Sequence, residues 1–345
     1  MNIDVKSYKQ FYFDTAIKIF NTPSPTGYYT EIESVLKQYA DDLGVKFERT
    51  NKGCFIFTVQ GEDQSALGLA AHADTLGAMV RSISPSGIKF TKIGGPILST
   101  FDGEYCTVIT RKGKKYSGTF LSTSPSKHVY TDGDTLLHTE ENMYVRLDEN
   151  IKTPADVDKL GIRAGDYIAL DPKTTVTSSG YLKSRFIDDK ASVVAFITVL
   201  KIIKDYNIKL KNTVKMLVTM YEEVGHGASF IPENIVKMLC VDMGCIGKDL
   251  TCTEHTVSIC AKDSHGPYDY DFTNQLIKLA EDNNLDFAVD VYPYYGSDVG
   301  AMWSAGYDIP GALIGTGVHA SHGMERTHFD GIENTIKLIL LYLGV

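Results

Sequence analysis

The chain has 345 residues, a formal net charge of −9 and 43% hydrophobic residues, which is the composition of an ordinary globular protein. Its apolar runs are shorter than the ~20 residues of a membrane span, and its dispersed Lys and Arg residues disfavour nucleic acid as a partner. The length suits one large α/β domain carrying a smaller inserted one, because single cores stop growing near ~250–300 residues.

The N-terminal residues and the cysteines indicate a compartment. Residues 1–14 mix charged with apolar side chains and show neither the apolar region nor the cleavage site of a secretory signal. The six cysteines form no CxxC pair, which predicts neither a disulfide framework nor a thiolate zinc site. We therefore expect a cytoplasmic protein with reduced, packed thiols.

The first 75 residues show the pattern of helices flanking a sheet. Helical periodicity predicts helices over residues 7–20 and from about 28 to 43, with Pro and Gly between them. Residues 45–49 and 54–59 flank Asn51-Lys52-Gly53 and predict a β-hairpin. Residues 66–71 predict a short buried strand that ends at His72.

The pattern changes between residues 76 and 182. Short β-rich runs such as 105–110 and 119–121 alternate there with Gly, Ser and Asp turns, and helical periodicity is nearly absent. Beyond residue 182 the sequence predicts helices over 191–203, 272–281 and 331–343, and strands over 214–220 and 238–241. We expect an α/β domain built from residues 1–75 and 183–345, with a small β domain of residues 76–182 inserted into it.

A first candidate pair of functional residues, His72 and Asp74, follows the strand over 66–71. Open α/β sheets bind their ligands at such strand ends. Residues two apart on a strand face the same side, so the Asp74 carboxylate can accept a hydrogen bond from one nitrogen of His72. That bond would leave the other nitrogen free to bind a metal. Alone, an HxD pair is a weak signal.

A second candidate pair, Asp188 and Asp189, precedes the apolar helix over 191–203. Two buried carboxylates are too costly to leave unpaired, so each needs a partner. One interpretation is a helix N-cap, a position that Asp favours. The other is a bound cation, and the two are compatible if one aspartate caps while the other binds.

A third pair, Glu222 and Glu223, ends the strand over 214–220. Neighbouring strand residues point to opposite faces, so both glutamates serve one site only where the strand ends and the chain turns. Val224-Gly225 and Gly227 supply that turn. The alternative is a pair of acids on a solvated sheet edge, but the strand before them is too apolar for an edge.

The remaining candidates are Asp242, which ends a fourth apolar run, and His319, His322 and His328 in a late Gly-rich loop. Together the strand ends offer His, Asp, Glu, Asp and His ligands at one edge of one sheet. This set suits two divalent ions that share a carboxylate better than a structural thiolate site. Three carboxylates leave two divalent ions cationic, so a bound water would be acidified. Glu222, which is not needed as a ligand, is then the predicted general base.

In this order the segments AHAD, IDDK, EEVG, VDMG and GSDVGAMWSAG resemble the M42 family of metallo-aminopeptidases, which includes glutamyl and tetrahedral aminopeptidases. The resemblance spans essentially the whole chain. It implies a three-layer α/β/α zinc-peptidase-like catalytic domain with an inserted small β-barrel or PDZ-like domain. It also implies a metal-dependent aminopeptidase that hydrolyses N-terminal residues from short peptides.

The resemblance further implies how the residues share two divalent metal ions, with zinc as first choice and cobalt or manganese as alternatives. Asp188 would bridge both ions. His72 and Asp242 would complete one site, and Glu223 and His322 the other.

Further roles follow from the same resemblance. Asp74 would orient His72, Glu222 would activate the water, and the peptide bond after Asp188 would be cis. The inserted domain would mediate dimerisation, and the dimers would build a tetrahedral dodecamer.

The sequence departs from the family pattern in three places. The segment after the Glu pair, Gly225-His226-Gly227, is one residue shorter than in the family. Lys190 stands where the family usually has Arg, and the last ligand motif reads HASHGME. Counting back from Glu325 favours His322 as the last ligand, with His319 as its competitor. His226 is close enough in sequence to line the pocket, whereas the other histidines, His328 among them, are interpreted as structural or surface residues.

Two other functions fit parts of the sequence. Paired carboxylates also cleave glycosidic bonds, but a glycoside hydrolase would leave His72 and His322 unexplained. A catalytically idle scaffold or peptide-binding member of the same fold is the second alternative. The presence of every expected ligand type and of the base argues against it.

Overall fold

The computed structural model describes residues 3–84 and 87–345. Short 3₁₀ turns lie at Val5–Tyr8, Leu98–Thr100 and Glu222–Val224. The helices, in chain order, are α1 Lys9–Phe20, α2 Thr30–Leu43, α3 Pro154–Leu160, α4 Ile187–Asp205, α5 Tyr270–Asp282, α6 Asp298–Ser304 and α7 Phe329–Tyr342. Within the described residues, no helix is long and apolar enough to cross a membrane.

The strands alternate with these helices at both ends of the chain and dominate its middle. They are β1 Lys46–Arg49, β2 Phe55–Val59, β3 Asp63–His72, β4 Gly77–Ser84, β5 Gly87–Ile93, β6 Tyr105–Ile109, β7 Lys115–Ser122, β8 Met143–Leu147, β9 Tyr167–Leu170, β10 Thr175–Val176, β11 Tyr181–Ser184, β12 Asn212–Thr219, β13 Ile235–Cys245, β14 Val257–Asp263, β15 Gly266–Pro267, β16 Phe287–Val291, β17 Gly311–Val318 and β18 Glu325–His328.

The main sheet has the order β1-β2-β12-β3-β13-β17-β14-β15, and β16 pairs with β14. Its centre, β12-β3-β13-β17, is parallel, whereas β1, β2 and β14 add antiparallel pairs on either side. The carboxyl ends of four neighbouring strands therefore meet at one edge. Open α/β sheets bind ligands at such an edge.

Alternate residues of the central strands fill two cores on opposite faces of the sheet, as a period of two requires. Leu69 and Ala71 of β3 face one core, whereas Ala66 and Ala70 face the other. The first core is covered by α1, α2, α4, α5 and α7. The second is covered by α6 and the segment around residues 228–231, so the two outer layers are unequal.

Helix α4 is buried on all sides between α1, α7 and the sheet. This explains why its sequence is apolar all round rather than amphipathic. The backbone at Asp188 and Asp189 is not helical, so the regular part of α4 begins just after the acidic pair.

The middle of the chain folds into a closed barrel of six strands, in the order β4-β5-β8-β7-β6-β9. These strands lie between residues 77 and 170. Phe90, Phe101 and Phe120 pack against one another in the barrel interior, with ring centroids 4.9–6.5 Å apart. The barrel thus has its own hydrophobic core, consistent with a small barrel inserted into the α/β fold.

Several elements differ from the sequence prediction. Helix α3 lies in the region where helical periodicity was nearly absent, and it is short enough to escape a periodicity test. Its start is marked by a capping box between Thr153 and Asp156. Strand β11 pairs with β10 on one side and with β18 on the other, which brings residues 175–184 against residues 325–328.

Candidate active site

Four parallel strands deliver the predicted residues to one edge of the sheet. His72 is the last residue of β3, and it pairs in register with Thr219, the last residue of β12. Cys240 of β13 pairs with Ala70 of β3, so Asp242 lies level with His72, each two residues further along its strand. The turn of Glu222 and Glu223 follows β12, the His322 loop follows β17, and Asp188 and Asp189 enter from the start of α4.

Asp188 lies between two histidines. Its Oδ1 is 3.1 Å from Nε2 of His72, and its Oδ2 is 3.4 Å from Nε2 of His322. Burial raises the pKa of Asp188, but the hydrogen bonds from His322 and His72 outweigh burial and hold that pKa well below its usual range. One carboxylate with an imidazole at each oxygen is the arrangement expected of a ligand shared by two cations.

Glu223 contributes a second carboxylate to the same place. Its Oε2 is 3.7 Å from Nε2 of His322, and its ligand atoms lie within 4.8 Å of those of His72 and Asp188. Its Oε1 is buried without a hydrogen-bond partner. Burial, followed by the charge of Asp188, raises the pKa of Glu223 well above its ordinary value. A buried carboxylate oxygen without a donor fits a metal cation, which would supply the missing partner.

Asp242 and Asp189 form a second group with His72, whose ligand atoms also lie within 4.8 Å of one another. Burial, with the charge of Asp188, raises the pKa of Asp242 to about 7. Asp189 accepts a hydrogen bond from the backbone N–H of His72 at 3.1 Å, and its Oδ1 has no partner. Neither Asp188 nor Asp189 caps α4 through its side chain, so the N-cap interpretation does not hold.

Glu222 lies beside His72, with Oε2 3.7 Å from Nε2 of that histidine. Its side chain is 15% exposed, more than that of Glu223, so it retains some access to solvent. Burial raises the pKa of Glu222 well above its ordinary value. The two glutamates converge because Glu222–Val224 forms a 3₁₀ turn that ends at Gly225 with φ of 81°.

The structure corrects the predicted partner of Asp74. Nδ1 of His72 donates its hydrogen bond to the backbone carbonyl of Asp74 at 2.9 Å, whereas the carboxylate Oδ1 is 3.6 Å away. The carboxylate instead accepts hydrogen bonds from the backbone N–H groups of Glu222 and Glu223 and from the hydroxyl of Thr26. Asp74 lies beyond the end of β3, so strand alternation no longer sets the direction of its side chain. His72 still presents Nε2 to the site.

The late loop places His322 at the site and His319 outside it. The backbone N–H of His322 donates to Oε1 of Glu325, and Oε2 of Glu325 accepts from the N–H of Asp188, both at 3.0 Å. Burial, with the charge of Asp188, raises the pKa of Glu325 to about 8. His319 pairs with Arg326 through its backbone and is exposed.

Two supporting residues, Thr26 and Asp298, were not singled out from the sequence. Asp298 accepts hydrogen bonds from the hydroxyl of Thr219 at 2.5 Å and from the N–H of Ala228 at 2.7 Å, so it holds both ends of the segment that carries Glu222. The sequence signal that could have identified Asp298 is its position as an acid in a segment rich in Gly and Ser. The Asp188-Asp189 peptide bond is cis, as the resemblance implies.

Another cluster, His255, His328 and Asp330, also brings possible metal ligands together. Nδ1 of His328, however, accepts the backbone N–H of Asp330 at 3.1 Å, while its Nε2 donates to the carbonyl of Ser179 at 2.8 Å. Both nitrogens of His328 are therefore occupied, Nδ1 by capping α7 and Nε2 by the carbonyl of Ser179. His226 stacks on Tyr221, next to Glu222, with ring centroids 5.0 Å apart.

Comparisons with known proteins identify the family of this chain. The profile described as M42 glutamyl aminopeptidase matches residues 53–338. Over 329 residues the chain is 42% identical to the Bacillus subtilis (strain 168) protein named "Putative aminopeptidase YhfE", which covers 94% of this chain and 95% of that protein.

Two solved structures share the fold. Aminopeptidase APDkam598 from the archaeon Desulfurococcus kamchatkensis has a TM-score of 0.87 at 19% identity, covering 97% of this chain and 95% of that chain. Pyrococcus horikoshii TET1 peptidase has a TM-score of 0.84 at 22% identity, covering 96% and 99%. The family match over most of the length shows that this chain belongs to the M42 glutamyl aminopeptidase family and is a hydrolase of the aminopeptidase class.

Proposed function

We propose that this protein is a metal-dependent aminopeptidase of the cytoplasm that removes N-terminal residues from short peptides at a dinuclear centre. The observation that carries the proposal is the position of Asp188, whose two oxygens face His72 and His322 separately. The partnerless Oε1 of Glu223 supports it, because this buried oxygen needs a cation.

In this proposal Asp188 is the shared ligand. His72 and Asp242 would hold one cation, and Glu223 and His322 would hold the other. Two divalent ions, with zinc as first choice and cobalt or manganese as alternatives, would supply Lewis acidity and lower the pKa of a bound water. Asp189 keeps His72 in place through its backbone N–H, and the carbonyl of Asp74 directs Nε2 of the same ring into the site.

Glu222 is the proposed general base. It takes a proton from the attacking water and returns it to the amine that leaves when the peptide C–N bond breaks. Asp74 positions Glu222 by accepting the hydrogen bond of its backbone N–H at 3.2 Å. The acidic surroundings would also attract the α-amino group of a substrate, which favours cleavage at the N-terminus.

We also propose that residues 76–182 form a dimerisation domain and that the dimers assemble into a tetrahedral dodecamer. The Pyrococcus horikoshii TET1 peptidase is described as assembling into a tetrahedron or a large octahedral shell. In this chain the segment between β7 and β8 exposes Val129 and Leu137, each 72% accessible. Large apolar side chains that protrude from the barrel suit a contact between subunits.

The alternatives explain less. A glycoside hydrolase needs two carboxylates. It has no need of a further carboxylate, Asp188, with an imidazole at each of its oxygens. An idle scaffold would not need Glu222 beside His72.

A panel of aminoacyl-p-nitroanilides tests the proposal. The purified protein is assayed as isolated, after chelation, and after zinc, cobalt or manganese is added back. We expect release that chelation abolishes, that metal restores and that Glu222→Gln removes. Glu281→Gln, at an exposed position near the end of α5, is the matched control and should keep full activity. Absence of release with every metal would favour the idle scaffold.

A further inference from the structure

The segment of the inserted barrel that follows β5 contacts the candidate metal centre. Residues 94–100, called the strap here, follow β5 and end with the 3₁₀ turn Leu98–Thr100. The carbonyl of Gly95 accepts a hydrogen bond from Nδ1 of His322 at 2.9 Å. The N–H of Ile97 donates to the backbone carbonyl of the same histidine at 3.2 Å. The strap thus holds both the ring and the backbone of His322.

These contacts set which nitrogen of His322 is available. Because the carbonyl of Gly95 accepts from Nδ1, that nitrogen keeps its proton. Nε2 faces Asp188 and Glu223 at 3.4 and 3.7 Å, and it is the nitrogen whose proton a cation would replace. Metal-binding histidines generally have their second nitrogen hydrogen-bonded in this way, which fixes both tautomer and ring orientation.

The backbone of the His322 loop needs such support. His322 has φ of 63° and Ala320 has φ of 60°, in the left-handed region that residues other than glycine rarely adopt. A loop in this conformation persists only when its surroundings hold it there. Arg185 adds to that hold, since its guanidinium donates to Thr100 of the strap and to the carbonyl of Gly323 in the loop.

The strap also packs against Glu223, the residue proposed to share a cation with His322. Gly94 has φ of 73°, and a Cβ there would lie 2.6 Å from Leu76 and 3.3 Å from the carbonyl of Glu223. This position therefore requires glycine. By contrast, the hydrogen bonds that hold His72 come from Asp74 and Asp189 of the α/β part of the chain.

We propose that the strap is a positioning element for His322, so that cation binding at the Glu223–His322 side of the centre depends on contact with the inserted barrel. The cation at the His72–Asp242 side does not depend on the strap. The inference rests on the proposed dinuclear centre and deepens it. The barrel then serves the metal centre as well as the proposed dimer contact.

The substitution Ile97→Pro tests the strap. It removes the N–H that bonds His322, at a φ of −79° that proline accepts and with a side chain that is 50% exposed. Ile97→Ala is the matched control, because it shortens the side chain but keeps the N–H. Cobalt binding is measured on the full-length, metal-stripped protein by titration calorimetry and by the visible absorption of bound cobalt.

The wild type and Ile97→Ala should each bind two cobalt ions with the same pair of dissociation constants. Ile97→Pro should keep one of these constants and raise the other about 10- to 100-fold, the usual effect of removing a contact behind a metal ligand. Loss of both ions, or two unchanged constants in Ile97→Pro, would overturn the role of the strap. If Ile97→Pro does not fold, Thr100→Val repeats the test, because it removes the hydroxyl that bonds Arg185 and the carbonyl of Ile97.

The wild type separates this inference from the proposed function. A wild-type protein that binds no divalent ion would defeat the dinuclear centre itself. A wild type with two ions and an unchanged Ile97→Pro variant would defeat only the strap.

Discussion

At the scale of single residues, the charge of Asp188 is what holds the two histidines together. Hydrogen bonding to Asp188 helps raise the pKa of His322 to about 10, against the effect of burial. An uncharged side chain of the same shape would remove that attraction and would also weaken cation binding at both halves of the centre.

Asp188→Asn should therefore abolish binding of both divalent ions and lower kcat by on the order of 10³-fold, the size expected when metal assistance is lost. Metal content after dialysis and steady-state kinetics check this result. Asp282→Asn, which removes an exposed carboxylate paired with Lys278, should change neither quantity. An Asp188→Asn variant that retains one ion at full affinity would contradict the shared-ligand assignment.

The corrected role of Asp74 gives a second residue-level prediction. Asp74→Asn replaces one carboxylate oxygen by an NH₂ group, which cannot accept a hydrogen bond. At least one of the donors that now bond the carboxylate, the N–H groups of Glu222 and Glu223 and the hydroxyl of Thr26, then loses its acceptor. We expect the free energy of unfolding to fall by ~1–3 kcal/mol, together with a lower kcat, because the turn of Glu222 loosens. Urea denaturation and kinetics measure both effects. Thr26→Val, which removes one donor, should change both less, and wild-type stability in Asp74→Asn would argue against this role.

At the scale of elements, the segment between β12 and residue 228 depends on close packing against Asp298. A Cβ at Gly227 would overlap Oδ1 of Asp298 and come within 3.0 Å of the hydroxyl of Thr219. A side chain at this position would have to displace the carboxylate of Asp298, which is buried and hydrogen-bonded to Thr219 and Ala228.

Gly227→Ala should lower the free energy of unfolding by ~1–3 kcal/mol, as overpacking of a filled interior does. Gly247→Ala provides the control, since a Cβ there meets nothing within 4 Å, and it should stay within ~0.5 kcal/mol of the wild type. Both are measured by urea denaturation. Equal stability of the two variants would show that Asp298 can shift without cost.

At the scale of the whole molecule, the buried acids of the centre make the metal-free fold sensitive to pH. Burial raises the pKa of Asp242 from 3.8 to about 7 and that of Glu325 from 4.5 to about 8. Between its ordinary pKa and its raised pKa, each of these carboxyl groups holds a proton in the folded state that it has released in the unfolded state. The free energy of unfolding therefore falls as pH rises through that range. His322 adds to this loss, because its raised pKa stabilises the fold at low pH. Asp188 acts in the opposite direction, but only below about pH 4.

The Tm of the chelated protein should therefore fall by at least about 5 °C between pH 5 and pH 8. With a saturating divalent ion the same range should change Tm much less, because the cation stabilises the ionised ligands. Differential scanning calorimetry in both conditions measures the difference. A Tm that rises with pH in the chelated protein would contradict these pKa directions.

The sequence by itself determined the family and the kind of fold. Apolar runs that end in His72, Glu222 and Asp242 identify strands that bring polar groups to one edge, because parallel strands share a direction. The hairpin, the strand ending at His72 and the buried helix after Asp188 were also predictable, because each depends on a local pattern of apolar residues and turns.

Tertiary structure decided the details that depend on residues far apart in the chain. It brought His322 rather than His319 to Asp188, through contacts with a strap more than 200 residues earlier. It directed the Asp74 carboxylate to the turn of Glu222 instead of to His72. Local periodicity carries no record of such contacts, because they are set by how separate elements pack around one buried cluster of charge.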